Sequence, residues 1–178
     1  ARKLLEDKDA DSRMRIYEGP LGKAIIVLLC VWTAFQLYFT TIGAISAINL
    51  RAIHCIFLLL FTFLLFPTYK KEKRRRKLPP IWDWVFILGS IGSFTYLILN
   101  YTRIAQTGGR ISDMEVGIAL VAIVCVFEAA RRASGNLAIL AAVFLAYNWF
   151  GAYLPGYFGH NGFTLKRVLI TQFWGTQG

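Results

Sequence analysis

A dense run of basic residues between two long apolar segments constrains this chain more than any other feature. Residues 69–78 hold seven cations and one anion, and apolar runs at 53–67 and 81–101 flank them. Such a run cannot lie in hydrocarbon and is not easily moved across a membrane, so it should stay on the cytoplasmic side. It therefore predicts the direction of the neighbouring segments. The topology-determining cations are Lys70, Lys71, Lys73, Arg74, Arg75, Arg76 and Lys77.

The composition favours a membrane protein over a nucleic-acid-binding protein. The chain has 178 residues, is 56% hydrophobic and carries a formal net charge of +10. In a soluble protein this charge would suggest nucleic acid as a partner. Here the charge is clustered between apolar runs too long for a soluble core, so orientation in a bilayer explains it better.

Five apolar segments predict transmembrane helices, which makes the expected fold class an all-α integral membrane protein. At about 1.5 Å per residue, roughly twenty helical residues cross the hydrocarbon layer. Prolines, an Asn49 N-cap and a Ser112-x-x-Glu115 capping box indicate where helices begin, and a turn at 134–136 separates the last two. The expected helices cover 21 to about 40, 49–66, 81 to about 101, 114 to about 133, and 137 to about 153.

We expect different structures at the two ends of the chain. Residues 1–18 mix both charge signs and predict a cytoplasmic arm, either a short surface helix or disordered, with a docking arm for a partner as the alternative. Residues 164–174 carry apolar side chains at helical spacing after Thr164, which suits an N-cap. They predict an amphipathic helix on the outer surface or one that enters the membrane. The ends at Ala1 and Gly178 suggest a piece of a longer polypeptide.

The distribution of cations predicts an N-terminus on the cytoplasmic side. In that orientation the inner side holds six cations up to Lys23, seven in the basic loop, and two more at Arg131 and Arg132. The outer connections hold five cations. This asymmetry follows the positive-inside rule for five spans.

Two ionisable residues near the start of the second helix are functional candidates. Arg51 and His54 lie three residues apart and therefore on one helix face. An ionisable group at membrane depth is a functional hypothesis by default. The alternative is that Arg51 reaches out to the interface and His54 satisfies a neighbouring carbonyl. Haem binding at His54 would need a second axial ligand at matched depth, and the other histidine of the sequence, His160, is expected in a loop.

A carboxylate near the inner end of the fourth helix has cations at helical spacing. Glu128 lies three and four residues before Arg131 and Arg132, so a structural charge pair that ends the helix is expected. Proton or ion coupling is the alternative. No paired histidines, Ser/His/Asp set or metal-ligand spacing occurs in the sequence, so we predict no catalytic, cofactor-binding or metal residues.

Several motifs, in their order, resemble one transporter family. They are Arg51-Ala52-Ile53-His54 before a phenylalanine-rich helix ending at Pro67, the basic loop, Asp83-Trp84, the run 127–135, Tyr153-Leu154-Pro155-Gly156, and His160-Asn161-Gly162-Phe163-Thr164. From Gly19 onward the chain resembles the N-terminal part of the fused membrane component of tripartite ATP-independent periplasmic (TRAP) transporters of the TAXI subgroup.

The resemblance implies a division of labour. In that family a four-helix membrane part precedes a larger part that carries substrate and sodium, and a periplasmic protein delivers the substrate. It implies a small-subunit-like domain at 19–135 and the start of the large permease domain at 136–178. It also implies the bacterial inner membrane as location. The expected partners are the large permease portion of the same polypeptide, a periplasmic substrate-binding protein and the lipid bilayer, with sodium bound in the large part and no cofactor here.

The expected function is therefore a non-enzymatic scaffold and docking portion of a sodium-coupled transporter for small carboxylates. The chain lacks a pair of Gly/Pro-interrupted helices of the kind that build midplane substrate sites. Loops 41–48 and 102–112 are the expected contacts for the binding protein. Two alternatives stay open: a subunit of an unrelated membrane complex, and a membrane-embedded redox or lipid-modifying enzyme.

Overall fold

The protein is helical almost throughout, as a computed structural model that describes residues 14–17, 19–43, 45–69, 75–76 and 78–175 shows. Five long helices follow one another: α1 (Pro20–Ile42), α2 (Ala47–Leu65), α3 (Ile81–Gln106), α4 (Asp113–Ala133) and α5 (Gly135–Phe150). Two 3₁₀ turns (Gly151–Tyr153 and Gly156–Phe158) lead to a short α6 (Leu165–Leu169), which continues as a π-helical turn (Ile170–Trp174). The all-α fold class predicted from the sequence is confirmed.

The β-strands in the described ranges are two paired dipeptides. Strand β1 (Ile16–Tyr17) pairs in parallel with β2 (Arg75–Arg76), with Ile16 opposite Arg75 and Tyr17 opposite Arg76. This pairing ties the segment before α1 to the connection between α2 and α3.

Among the residues that the structure describes, four segments are long and apolar enough to cross a membrane: α1, α2, α3 and Gly135–Tyr153, which is α5 with its following turn. The protein therefore has the character of a membrane protein. Helix α4 forms as predicted, but its 21 residues include charged side chains at both ends. The fifth span and the orientation of the helices stay predictions.

Three predicted boundaries were wrong. Ser46, not Asn49, is the N-cap of α2, and its side chain accepts a hydrogen bond from the Asn49 backbone N–H. Helix α3 continues past 101 to Gln106, and the turn expected at 134–136 is the single non-helical residue Ser134. The outer connections expected at 41–48 and 102–112 are correspondingly shorter.

Helix α3 runs further than predicted because the glycines that end it, Gly108 and Gly109, lie beyond residue 101, where the polar residues begin. Gly108 and Gly109 both have positive φ, and the Gly109 N–H donates to the Ile104 carbonyl at 3.0 Å. This is the pattern by which glycines close a helix C-terminus. Ile104 is buried, so the extra turn also gains apolar packing.

The chain forms two compact units, Ala1–Thr95 and Tyr96–Gly178. In the first unit α1 packs on α2, and the rings of Phe63 and Phe86 stack at 5.3 Å. In the second unit α4 packs on α5 and α6, and the small buried residues on α4 are Ala119, Ala122, Cys125 and Ala129. The boundary between domains that the resemblance implies, between residues 135 and 136, stays a prediction.

Candidate functional site

The basic loop, which carries the topology argument, lies mostly outside the described residues. Lys70, Lys71, Lys73, Arg74 and Lys77 are among the residues outside, and Arg75 and Arg76 are described through their backbone pairing alone. Their role in orientation therefore stays a prediction.

A buried ion pair lies beside this loop, between Arg15 and Asp83. Arg15 Nη1 donates to Asp83 Oδ2 at 2.5 Å, and both side chains are 0% exposed. The same nitrogen donates to the backbone carbonyls of Phe63 at 3.1 Å and Leu64 at 3.3 Å. The Arg15 backbone N–H donates to the Leu65 carbonyl at 2.7 Å.

These bonds supply hydrogen-bond donors to the last backbone carbonyls of α2. The last carbonyls of a helix have no partner within the helix and carry partial negative charge, so a cation there is stabilising. Tyr17 adds a bond from its hydroxyl to the Leu64 carbonyl at 2.8 Å. Asp83 lies in the first turn of α3, where a carboxylate is favoured for the converse reason. The pre-helix segment (residues 14–17) thus links the end of α2 to the start of α3.

This pair was not predicted from the sequence. Arg15 was expected in the cytoplasmic arm, and Asp83 was noted as part of the Asp83-Trp84 motif, between Trp82 and Trp84. Instead, the two indole side chains are exposed while the carboxylate between them is buried. The available signal was a single acidic residue in the first turn of a long apolar helix, which needs a cation if it is to be buried.

A small polar cluster on α1 and α2 consists of His54, the Trp32 ring that it packs against, and Gln36, which lies one helical turn beyond Trp32 on α1. The rings of Trp32 and His54 lie 5.3 Å apart. Among the described residues, His54 Nδ1, Trp32 Nε1 and Gln36 Oε1 are buried atoms with no hydrogen-bond partner. Leaving such an atom unpaired costs about 1–3 kcal/mol. This cluster is therefore the natural place on the first unit for contact with a further polar group.

The two candidate residues on α2, Arg51 and His54, thus lie in different environments. Arg51 is exposed, as expected of a side chain reaching the interface, whereas His54 is half-buried. The expectation that His54 satisfies a carbonyl is not met at Nδ1, which has no partner within the described ranges. Trp32 and Gln36 were not singled out as partners, because α1 and α2 are separate in sequence.

Glu128 is clamped by both predicted cations. Arg131 donates to its carboxylate through Nε at 2.7 Å and Nη2 at 2.8 Å, which is a bidentate pair. Arg132 donates through Nε at 2.8 Å, and its side chain is 0% exposed. The geometry matches the expected structural charge pair at the C-terminal end of α4.

A buried carboxylate, that of Glu115, lies at the N-terminal end of α4. Glu115 is 1% exposed and accepts from the Ser112 backbone N–H at 2.6 Å and the Ser112 hydroxyl at 3.0 Å, which confirms the capping box. It also accepts from Tyr96 at 3.4 Å and from Arg103 in the last turn of α3. Arg103 was expected in a loop, so this contact between helices was missed.

The loop after α5 is held around His160. Its Nε2 lies 3.1 Å from the Tyr147 carbonyl, its Nδ1 lies 2.9 Å from the Asn161 carbonyl, and its ring stacks on Phe163 at 5.0 Å. Gly151 lies against the ring so closely that a Cβ there would come within 2.0 Å of Nε2. His160 therefore fixes the path of the loop.

Within the described ranges, no group of three His, Cys, Asp or Glu side chains is placed to hold a metal ion. The fold and these sites define an all-α protein of membrane type with ion pairs at its helix ends. No protein-family model matches the chain, and no curated protein or solved structure matches it.

Proposed function

We propose that this chain is the scaffold and docking portion of a sodium-coupled secondary transporter of the TRAP type, TAXI subgroup, in a bacterial inner membrane. In this proposal it holds a larger permease portion of the same polypeptide in place, and a periplasmic binding protein delivers small carboxylates to the assembly. The order of motifs from Arg51 to Thr164 supports the family.

The ionic contacts of the helices carry the scaffold part of the proposal. Arg15–Asp83 joins the pre-helix segment to the start of α3, and Arg103–Glu115 joins the end of α3 to the start of α4. Glu128 with Arg131 and Arg132 stabilises the last turns of α4 itself. A group that moves a proton or an ion must change its partner or its charge during a cycle. Pairs that fix helix ends to one another suit a part that stays in place.

The outward surface of α1 supports docking. Ile25 is the buried residue of this 23-residue helix, while Ile26, Val27, Val31 and Leu37 are more than half exposed. Such a continuous apolar face requires lipid or another membrane helix as its neighbour.

The mass of the native polypeptide tests the proposal. We expect protein purified from native membranes to be several times larger than the 20.2 kDa of this sequence and to copurify with a soluble periplasmic protein. Reconstituted into vesicles, that complex should take up a small carboxylate only with an inward sodium gradient. A native product ending near Gly178 without a permease partner would instead assign the chain to an unrelated membrane complex.

A further inference from the structure

An open cleft in the second unit combines a cation with hydrogen-bond acceptors. It has a volume of about 170 Å³ and lies between α5 and the α6–π segment. Polar and apolar side chains share its wall, which is formed by Asn148, Phe163, Arg167, Val168, Thr171 and Gln172.

The Arg167 guanidinium is positioned by an aromatic stack. Its Cζ lies 5.1 Å from the centre of the Phe163 ring, which stacks on His160 and is anchored by a backbone bond to Asn148 at 3.0 Å. Stacking on a ring face leaves the N–H edge of a guanidinium available to an oxyanion. In the part of the chain that the structure describes, Arg167 contacts no carboxylate, whereas the neighbouring Lys166 is paired with Asp113 at 2.9 Å.

Other polar groups of the cleft offer acceptors. Both described hydrogen bonds of the Asn148 side chain are donated by Nδ2, to the carbonyls of Phe144 and Leu145, so its Oδ1 is the group left for a ligand. The Thr171 hydroxyl donates to the Arg167 carbonyl at 3.0 Å and therefore presents lone pairs. A ligand that suits the cleft carries an oxyanion for Arg167 and a hydroxyl or ammonium donor for these oxygens.

The residues around the cleft indicate that it lies at the depth of the lipid headgroups. Asn148 lies near the end of the candidate span Gly135–Tyr153. Exposed aromatic residues cluster on the same stretch of chain, namely Trp149, Phe150, Tyr153, Tyr157 and Phe158. Tryptophan and tyrosine are enriched where hydrocarbon meets the headgroups, and this is the level at which lipid phosphates lie.

We infer that this cleft binds a phosphodiester bearing a hydroxyl or ammonium donor, supplied by a phospholipid headgroup or by a soluble glycerophosphodiester. Arg167 pairs with the phosphate oxygens, and Asn148 and Thr171 accept from the donor. The inference does not depend on a role in transport, so the uptake experiment and the binding experiment can fail separately.

Native mass spectrometry of the full chain in detergent tests the site. Phosphatidylglycerol and phosphatidylethanolamine are the probes, and phosphatidylcholine, whose ammonium has no N–H, is the comparison lipid. We expect Arg167→Gln to weaken binding of the first two about tenfold, the loss typical of one charge-assisted hydrogen-bonded contact. The matched control Arg110→Gln removes an exposed cation outside the cleft and should leave binding unchanged.

Two further measurements make the outcome decisive. Competition by glycerophosphoglycerol at the affinity of the lipid would assign the soluble source, and failure to compete would assign the headgroup. Thr171→Val removes an acceptor hydroxyl of the cleft and serves as the second variant if Arg167→Gln proves unstable; it should also weaken binding. Equal affinities for all three lipids, or equal effects of Arg167→Gln and Arg110→Gln, would overturn the site.

Discussion

Replacing Asp83 by asparagine should destabilise the first unit more than any other single charge removal. The change keeps the shape of the side chain but leaves the buried Arg15 guanidinium without its carboxylate, which lies 2.5 Å away. A hydrogen bond between charged groups is worth about 1.5–3 kcal/mol, and a buried charge left without its counter-ion raises the loss to about 3–5 kcal/mol. Because Arg15 retains its two carbonyl acceptors on α2, we expect a loss near the lower end, about 3 kcal/mol.

Thermal unfolding in detergent micelles, followed by tryptophan fluorescence, measures this loss. For a chain of this size about 3 kcal/mol corresponds to a fall in Tm of roughly 6–12 °C. The control Asp113→Asn removes an exposed pair with Lys166, for which about 0–1 kcal/mol is expected. The double variant Arg15→Leu/Asp83→Leu should recover much of the stability, because no buried charge remains. Equal Tm shifts for Asp83→Asn and Asp113→Asn would refute the reasoning.

Three other changes probe separate parts of the chain. Glu128→Gln should lower the free energy of unfolding by about 2 kcal/mol by weakening the clamp on α4, while sodium dependence of the complete transporter persists; an intact fold with lost sodium dependence would show a coupling role instead. Replacing the four cations of 74–77 by asparagine should give mixed orientations of fusion reporters, and unchanged orientation would show that other segments dominate. Gly151→Ala should open the His160 loop to limited proteolysis at a cost of about 1–3 kcal/mol; Gly117→Ala, with nothing within 4 Å of the new Cβ, is the control and should leave cleavage unchanged.

The local features of the fold were predictable from the sequence. The capping box at Ser112 and Glu115 and the clamp at Glu128 each join residues three or four apart, a spacing that a helix fixes by itself. The long apolar helices were predictable for the same reason, because length and composition define them. Their ends were less certain: Ser46 and Asn49 are both good caps three residues apart, and polarity alone does not choose between them.

The contacts between separate helices were not predictable from one sequence. Arg15 and Asp83 are 68 residues apart, and no periodic pattern relates their positions. Arg103 was assigned to a loop because polar neighbours surround it, although the buried Ile104 beside it keeps the helix going. The cluster of Trp32, Gln36 and His54 depends on how α1 and α2 face each other, which their nearly uniform apolar character leaves open.

The link that Arg15 makes between the end of α2 and the start of α3 also sets an order of events during synthesis. Arg15 leaves the ribosome before α1, yet its acceptors belong to residues made later, and Asp83 follows it by 68 residues. At about 5–20 residues per second this interval lasts roughly 3–14 s. The carbonyl acceptors of α2 are made 48 residues after Arg15, and until Asp83 follows the guanidinium has no carboxylate to pair with. Burial of Arg15 as an ion pair therefore reports that the end of α2 and the start of α3 have both been made and have come together.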